Sequence, residues 1–174
     1  WIRKRRRGAQ PSLRGLGGGP GAGSRRHEGE CAPAAVQCDG MVLLATFLCA
    51  ALRGTRRPSS KTAAISLLCQ VAALSDDEVR LQRVAPYLLS VINDPSAIVR
   101  ACALRALARV LATVEELSPS DAKIFPEYVL PSLSLLPHDP EELVRVEYCA
   151  TAASLACTAQ RFLSRVQYTG QQAE

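Results

Sequence analysis

Beyond residue 41 apolar positions recur at spacings of three and four, the period of an amphipathic helix, and the runs are punctuated at regular places. Met41–Leu52 (MVLLATFLCAAL) is an apolar run closed by Arg53, and a second helix is expected from about Ser60 to Leu74. Ser75, with Glu78 three residues on, has the form of a capping box and predicts a helix to about Ile92. Its partner is expected from Pro95 to about Val114. Ser118 and Asp121 form a second capping pair, opening a helix that Pro126 interrupts so that it restarts as PEYVLPSLSLL. The last helix is expected from Pro140 to about Val166. Within Pro95–Val114 two apolar stripes run side by side: Ala97, Ala101, Ala108 and Ala112, and Val99, Ala103, Ala106 and Val110. A helix apolar on more than one face must be covered from several sides.

The punctuation repeats. Asp94-Pro95-Ser96-Ala97-Ile98-Val99-Arg100 returns 45 residues later as Asp139-Pro140-Glu141-Glu142-Leu143-Val144-Arg145, and Pro86 and Pro131 share the same offset. Asp94 and Asp139 are expected to cap the following helix through their carboxylates, with Pro95 and Pro140 at its first position, where a missing N–H costs nothing. The unit is helix, sharp turn, helix. A 45-residue period of that kind predicts an all-α fold, a HEAT/armadillo-type α-solenoid of about three helix pairs. Lys61-Thr62-Ala63-Ala64 aligns with Arg100-Ala101-Cys102-Ala103 at the shorter offset of 39, placing a less regular pair first. Without an evident polar cap at either end, the repeat is expected to continue in both directions.

Charge divides the chain. The net charge of +5 resides entirely in residues 1–40, which carry eight Lys/Arg against three Asp/Glu and nine of the eleven glycines, whereas residues 41–174 are neutral. The organisation expected is a disordered, basic, glycine-rich leader (1–40), a repeat segment (41–168) and a short tail (169–174). Arg3, Lys4, Arg5, Arg6 and Arg7 could engage phosphates or anionic lipid, but no aromatics interleave them to stack on bases, and no nucleic-acid partner is expected. An Arg-rich transit segment and a signal peptide ending in Met41–Leu52 are weaker readings of the same stretch. Because the chain opens on Trp1, it reads as part of a longer product.

Candidate chemistry is sparse. The glycines lack both nucleotide-loop spacings, and the chain holds no H-R-D or D-F-G triplet, so neither a cofactor nor kinase catalysis is expected of it. Of seven cysteines none forms a C-x-x-C pair; five sit in helices as small apolar residues, consistent with a reducing, cytoplasmic setting. Cys149 and Cys157, eight apart, are expected in the core, as are Tyr87, Tyr128 and Tyr148. His138 reads as a solvated turn residue, and Glu141 and Glu142 as favourable charges at a helix start. No residue is assigned to catalysis or to a metal.

The segments DGMVLLATFLCAALR, DDEVRLQRVAPYLLSVINDPSAIVRACALRAL and SPSDAKIFPEYVLPSLSLLPHDPEELVRVEYCA resemble the HEAT region of the class III phosphatidylinositol 3-kinase regulatory subunits, most nearly the plant and algal forms, over about Asp39 to Tyr168. The resemblance implies a non-catalytic scaffold segment within a larger protein bearing a kinase domain and a WD40 propeller. It implies association with the lipid kinase catalytic subunit and a beclin-type subunit, endosomal and vacuolar sorting, autophagy, and a peripheral membrane location reached only through the complex. It also implies that Asp94, Arg100, Asp139 and Arg145 form a polar ladder between repeats. A generic HEAT adaptor, of phosphatase-scaffold or nuclear-transport type, and a nucleic-acid or membrane binder acting through the basic arm are the alternatives.

Overall fold

Helices form where the periodicity places them, but their ends and joints are set by backbone chemistry that the periodicity does not register. The computed structural model describes residues 33–172 except Pro119, with side chains over 40–168. The Arg3–Arg7 cluster and the part of the leader before residue 33 lie outside the described residues. Helix α1 runs Pro33–Gly54, so it begins eight residues before the expected boundary at Met41. Ala34, Ala35 and Val36 are compatible with helix, and a proline suits its first turn. Helix α2 spans Pro58–Ala73, again with proline at the start. Then come α3 (Asp77–Val79), a π-helical turn (Arg80–Val84), α4 (Ala85–Val91) and α5 (Ala97–Ala112). A second π-helical turn (Phe125–Val129), α6 (Leu130–Leu133), a 3-10 turn (Leu136–His138) and α7 (Glu142–Gln172) complete the order. Among the described residues there is no strand; the fold is an all-α solenoid of stacked helix pairs.

The 45-residue repeat reaches into the backbone as a shared irregularity. The two π-turns are 45 residues apart, and each ends two residues before a matched proline, Pro86 or Pro131. The N–H of Ala85 donates to the carbonyl of Arg80, and that of Leu130 to Phe125, five residues back rather than four. Proline supplies no N–H and its ring crowds the carbonyl four residues earlier, so widening the preceding turn lets the helix pass through without a sharp break. Pro126 therefore does not split a helix as expected. It sits inside the second π-turn, and the helical path starts only at Ile124; between Val114 and Lys123 none of the described residues is helical.

Helix α5 is the centre of the core, packing against α2, α4 and α7. Val99, Ala101, Ala103, Leu104, Ala106, Leu107, Ala108, Val110 and Leu111 are buried on it, so both predicted stripes are largely interior; Ala97 is half-buried and Ala112 exposed at the ends. Helix α7 buries one stripe, Val144, Glu147, Thr151, Leu155, Thr158 and Phe162. Phe162 meets Phe125 edge-on, with centroids 5.1 Å apart. Three expectations about the core fail. Cys149 and Cys157 are exposed, because they lie on the side of α7 away from that stripe. Tyr128 is the third, 60% exposed; Tyr148 is partly buried and packs against the core, and Tyr87 is buried, with the Arg53 guanidinium 5.4 Å from its ring centre.

Candidate functional site, a polar ladder across the helix pairs

The turns between helices bring charged groups of successive pairs together at the edge of the core. Asp94 precedes α5 and Asp139 precedes α7. The N–H of Ser96 donates to Asp94 Oδ1 at 3.0 Å, and the N–H of Glu141 to Asp139 Oδ1 at 3.0 Å. Each carboxylate thus closes a tight turn on the residue two positions on, as aspartate commonly does. The expected capping of a helix first turn is not what occurs: α5 begins at Ala97 and α7 at Glu142, so Pro95 and Pro140 lie in the turn before the helix. Lacking an N–H and fixed in φ, proline is as well suited to the turn as to the helix start.

Each carboxylate then accepts from a cation of the preceding helix pair. Arg100 donates through Nε to Asp139 Oδ2 at 2.9 Å and through Nη2 to Oδ1 at 2.7 Å, a two-pronged grip. Its remaining nitrogen, Nη1, donates to the carbonyls of Asp94 and Pro95, 3.0 and 3.2 Å away, so one side chain joins both turns. Lys61 near the start of α2 holds Asp94 through a single contact, Nζ to Oδ2, and Arg105 grips the buried Glu147 of α7, with Nε 2.9 Å from Oε1. Arg145 repeats the backbone half of the Arg100 pattern, donating through Nη1 to the carbonyls of Asp139 at 2.7 Å and Pro140 at 3.0 Å. Asp94, Arg100, Asp139 and Arg145 therefore fall in one row, although Asp94 and Arg100 meet through a backbone carbonyl rather than through the carboxylate.

Arginines close the opposite ends of the helices. Arg80 donates to the carbonyls of Ala72 and Ala73 at the end of α2 and to Thr113 beyond α5, while holding Asp77 at 2.6 Å. Asp77 Oδ2 in turn accepts from the N–H groups of Glu115 and Glu116, at 2.8 and 2.7 Å. Arg161 of α7 donates to the carbonyls of Leu111 and Ala112, the end of α5. Cations on the orphan carbonyls at a helix C-terminus also suit the helix dipole.

The two capping boxes are corrected by this geometry. The Ser75 hydroxyl donates to the carbonyl of Val71, so Ser75 terminates α2 instead of opening the next helix; Asp76 holds the position before α3, and Glu78 is exposed. Ser118 accepts the Asp121 N–H on its carbonyl and donates its hydroxyl to Asp121 Oδ2 at 3.1 Å, closing a turn in a stretch that never becomes helical. In both places the serine hydroxyl finds a local acceptor, the Val71 carbonyl at Ser75 and the Asp121 carboxylate at Ser118, in place of a role at a helix start, the competition that makes such motifs ambiguous. Lys61, Asp77, Arg80, Glu147 and Arg161 were not singled out by sequence. The alignment of Lys61 with Arg100 was the one available signal, since Asp77, Arg80 and Arg161 act on carbonyls and amides distant in the chain and Glu147 on the distant Arg105 side chain.

Acid should loosen this framework. The Arg100 hydrogen bonds, joined by the Glu141 N–H, hold the Asp139 carboxyl below the usual carboxylate range. Burial raises that of Asp77, but the N–H groups of Glu116 and Glu115, together with Arg80, more than offset it, and the net shift is downward. A carboxyl with a depressed folded pKa adds stability above its unfolded value of about 4, and that stability is lost as pH falls through the folded value. Urea midpoints are expected to hold steady from about pH 7 to 5 and to fall below about pH 4. An Asp77→Asn/Asp139→Asn chain should show a shallower fall, and an equally steep one would remove these two groups as its cause.

Among the described residues no three His, Cys, Asp or Glu side chains converge as a metal site, and no helix is long and apolar enough to cross a membrane. His138 is exposed in the 3-10 turn, and burial pushes the thiols of Cys49, Cys69 and Cys102 up, away from the thiolate.

Residues 44–173 match the family described as PIK3R4-like, middle domain. The chain is 48% identical over 128 residues to the serine/threonine-protein kinase VPS15 of Arabidopsis thaliana, covering 74% of this chain and 9% of that protein. It is 39% identical over 133 residues to the probable serine/threonine-protein kinase vps15 of Dictyostelium discoideum, covering 75% and 7%. A putative kinase VPS15 of Komagataella pastoris is 31% identical over 137 residues, covering 78% and 10%. The chain thus spans about a tenth or less of the length of these relatives.

Proposed function

The chain belongs to the PIK3R4-like family, as part of its middle domain, and from that premise we propose that it is a non-catalytic scaffold segment of a class III phosphatidylinositol 3-kinase regulatory subunit. In this reading it serves endosomal and vacuolar sorting and autophagy, from the cytoplasm and the membranes its complex reaches. Its partners are the lipid kinase catalytic subunit and a beclin-type subunit. The family match over residues 44–173 carries the reading. The stacked fold supports it, because residues that act as cross-links between helices serve rigidity and spacing rather than bond chemistry. Although the relatives are named as kinases, the nucleotide loop and catalytic triplets of a kinase are absent from this sequence, so phosphoryl transfer is not assigned to this segment.

Exchange and deletion in the Arabidopsis relative test the reading. Replacing its matching 128-residue segment with that of this chain is expected to preserve co-purification with the lipid kinase catalytic subunit. Deleting the segment should abolish it. Undiminished co-purification after deletion would show that the segment is dispensable for assembly.

A further inference from the structure

The turn between α1 and α2 carries positive charge where the other two turns carry an aspartate. Thr55 stands six residues before Lys61, as Asp94 stands six before Arg100 and Asp139 six before Arg145. Asp94 and Asp139 each close their turn on an N–H two residues on, whereas the Thr55 hydroxyl donates back to the carbonyl of Ala51. Arg56 and Arg57 follow, both exposed and without an ion pair among the described residues. They stand against the start of α2, whose first turn holds no acid and no side-chain cap. The Lys61 N–H donates to the Arg57 carbonyl, so the N–H groups of Ser59 and Ser60 before it have no partner within the helix. Two unpaired cations oppose the positive end of the helix dipole, and an anion there would satisfy both.

The same stretch shows how that anion could be added. Arg56-Arg57-Pro58-Ser59 places arginines three and two residues before a serine, and this pattern occurs once in the chain. Arginine-directed serine kinases read it by pairing both guanidinium groups with acidic side chains of their peptide groove. Ser59 is exposed, and its hydroxyl is bonded to no group among the described residues. It lies at a helix end, where the backbone opens most readily into the extended form that such a groove holds. Ser164 also follows an arginine by three residues, but it sits within α7. Its hydroxyl is on the Gln160 carbonyl, and Arg161 is held on the end of α5.

We propose that Ser59 is a phosphorylation site for an arginine-directed serine kinase, and that its phosphate supplies the first turn with the negative charge that aspartate supplies to the others. Ser59 Oγ bonds to the terminal phosphorus of ATP and the bond from that phosphorus to the bridging oxygen breaks. ADP leaves, and the hydroxyl proton passes to the kinase's base. The phosphate, with a charge of about −2 at neutral pH, then neutralises Arg56 and Arg57 and accepts from the open N–H groups at the start of α2. This modification depends on the turn alone, whichever complex the chain serves.

Treating the whole folded chain with ATP and the catalytic subunit of cyclic-AMP-dependent protein kinase tests it, with the phosphate located by fragment mass spectrometry. One phosphate on Ser59 is expected. The Ser59→Ala chain should stay unlabelled, and the Arg56→Gln/Arg57→Gln chain should be labelled about tenfold more slowly or less. In the phosphorylated chain, amide exchange at Ser59 and Ser60 should slow about fivefold as the phosphate accepts their N–H groups. Its second ionisation, followed by phosphorus resonance, should fall below the value of about 6 for free phosphoserine. Label on Ser60 or Ser164 instead of Ser59, or label on Ser59 only after urea has unfolded the chain, would overturn the site. Unslowed exchange, or an ionisation no lower than that of free phosphoserine, would overturn the role given to the phosphate.

Discussion

The Leu107→Ala variant is expected to lose about 3–4 kcal/mol of unfolding free energy, read from urea midpoints at constant slope. Leu107 lies in the middle of α5 and is fully buried. That helix packs against α2, α4 and α7, and truncating a fully buried leucine in its middle leaves a cavity that the surroundings relax into only in part. Single domains are stable by only about 5–15 kcal/mol, which makes this a substantial fraction. Leu163→Ala on α7 is the control: its side chain is 59% exposed and should cost under about 0.5 kcal/mol. Equal losses at the two positions would mean that α5 is not the centre of the core.

Removing the Asp139 carboxylate should be nearly as damaging, at about 3 kcal/mol for Asp139→Ala. The substitution strips two charge-assisted bonds from Arg100 and the turn-closing bond from the Glu141 N–H. It leaves the Arg100 guanidinium, whose side chain is 13% exposed, without its counter-charge. Asp139→Asn should cost less, because an amide oxygen still accepts from the turn. The decisive measurement is a double-mutant cycle with Arg100→Ala, where the two losses should fall short of additivity by about 1–3 kcal/mol. Strict additivity would mean that the contact does not hold the second and third helix pairs together.

Much of this was legible in the residues themselves. The repeat showed in the Asp-Pro turns and in Pro86 and Pro131, because those residue types mark a forced backbone geometry wherever they recur. The Asp94–Arg100–Asp139–Arg145 row followed from the family resemblance, and the structure brings Arg100 and Asp139 into direct contact. The capping boxes at Ser75 and Ser118 misled, because a serine hydroxyl can donate to another nearby oxygen, the Val71 carbonyl behind Ser75 and the Asp121 carboxylate ahead of Ser118. Cys149 and Cys157 misled for a different reason. Small apolar residues on a helix show that a face can be buried, whereas burial itself depends on a neighbour being there.

By itself, then, the sequence determined the helical period, the places where the chain turns and the 45-residue unit, all of which depend on local sterics and on residues a few positions apart. Only the tertiary structure decided that Lys61 meets Asp94, that Arg80 and Arg161 close helix ends belonging to other pairs, and that Glu147 is buried against Arg105. Those contacts join residues from 8 to 50 positions apart. They are fixed by how one helix pair lies on the next, a relation that no local pattern of apolar and polar residues encodes.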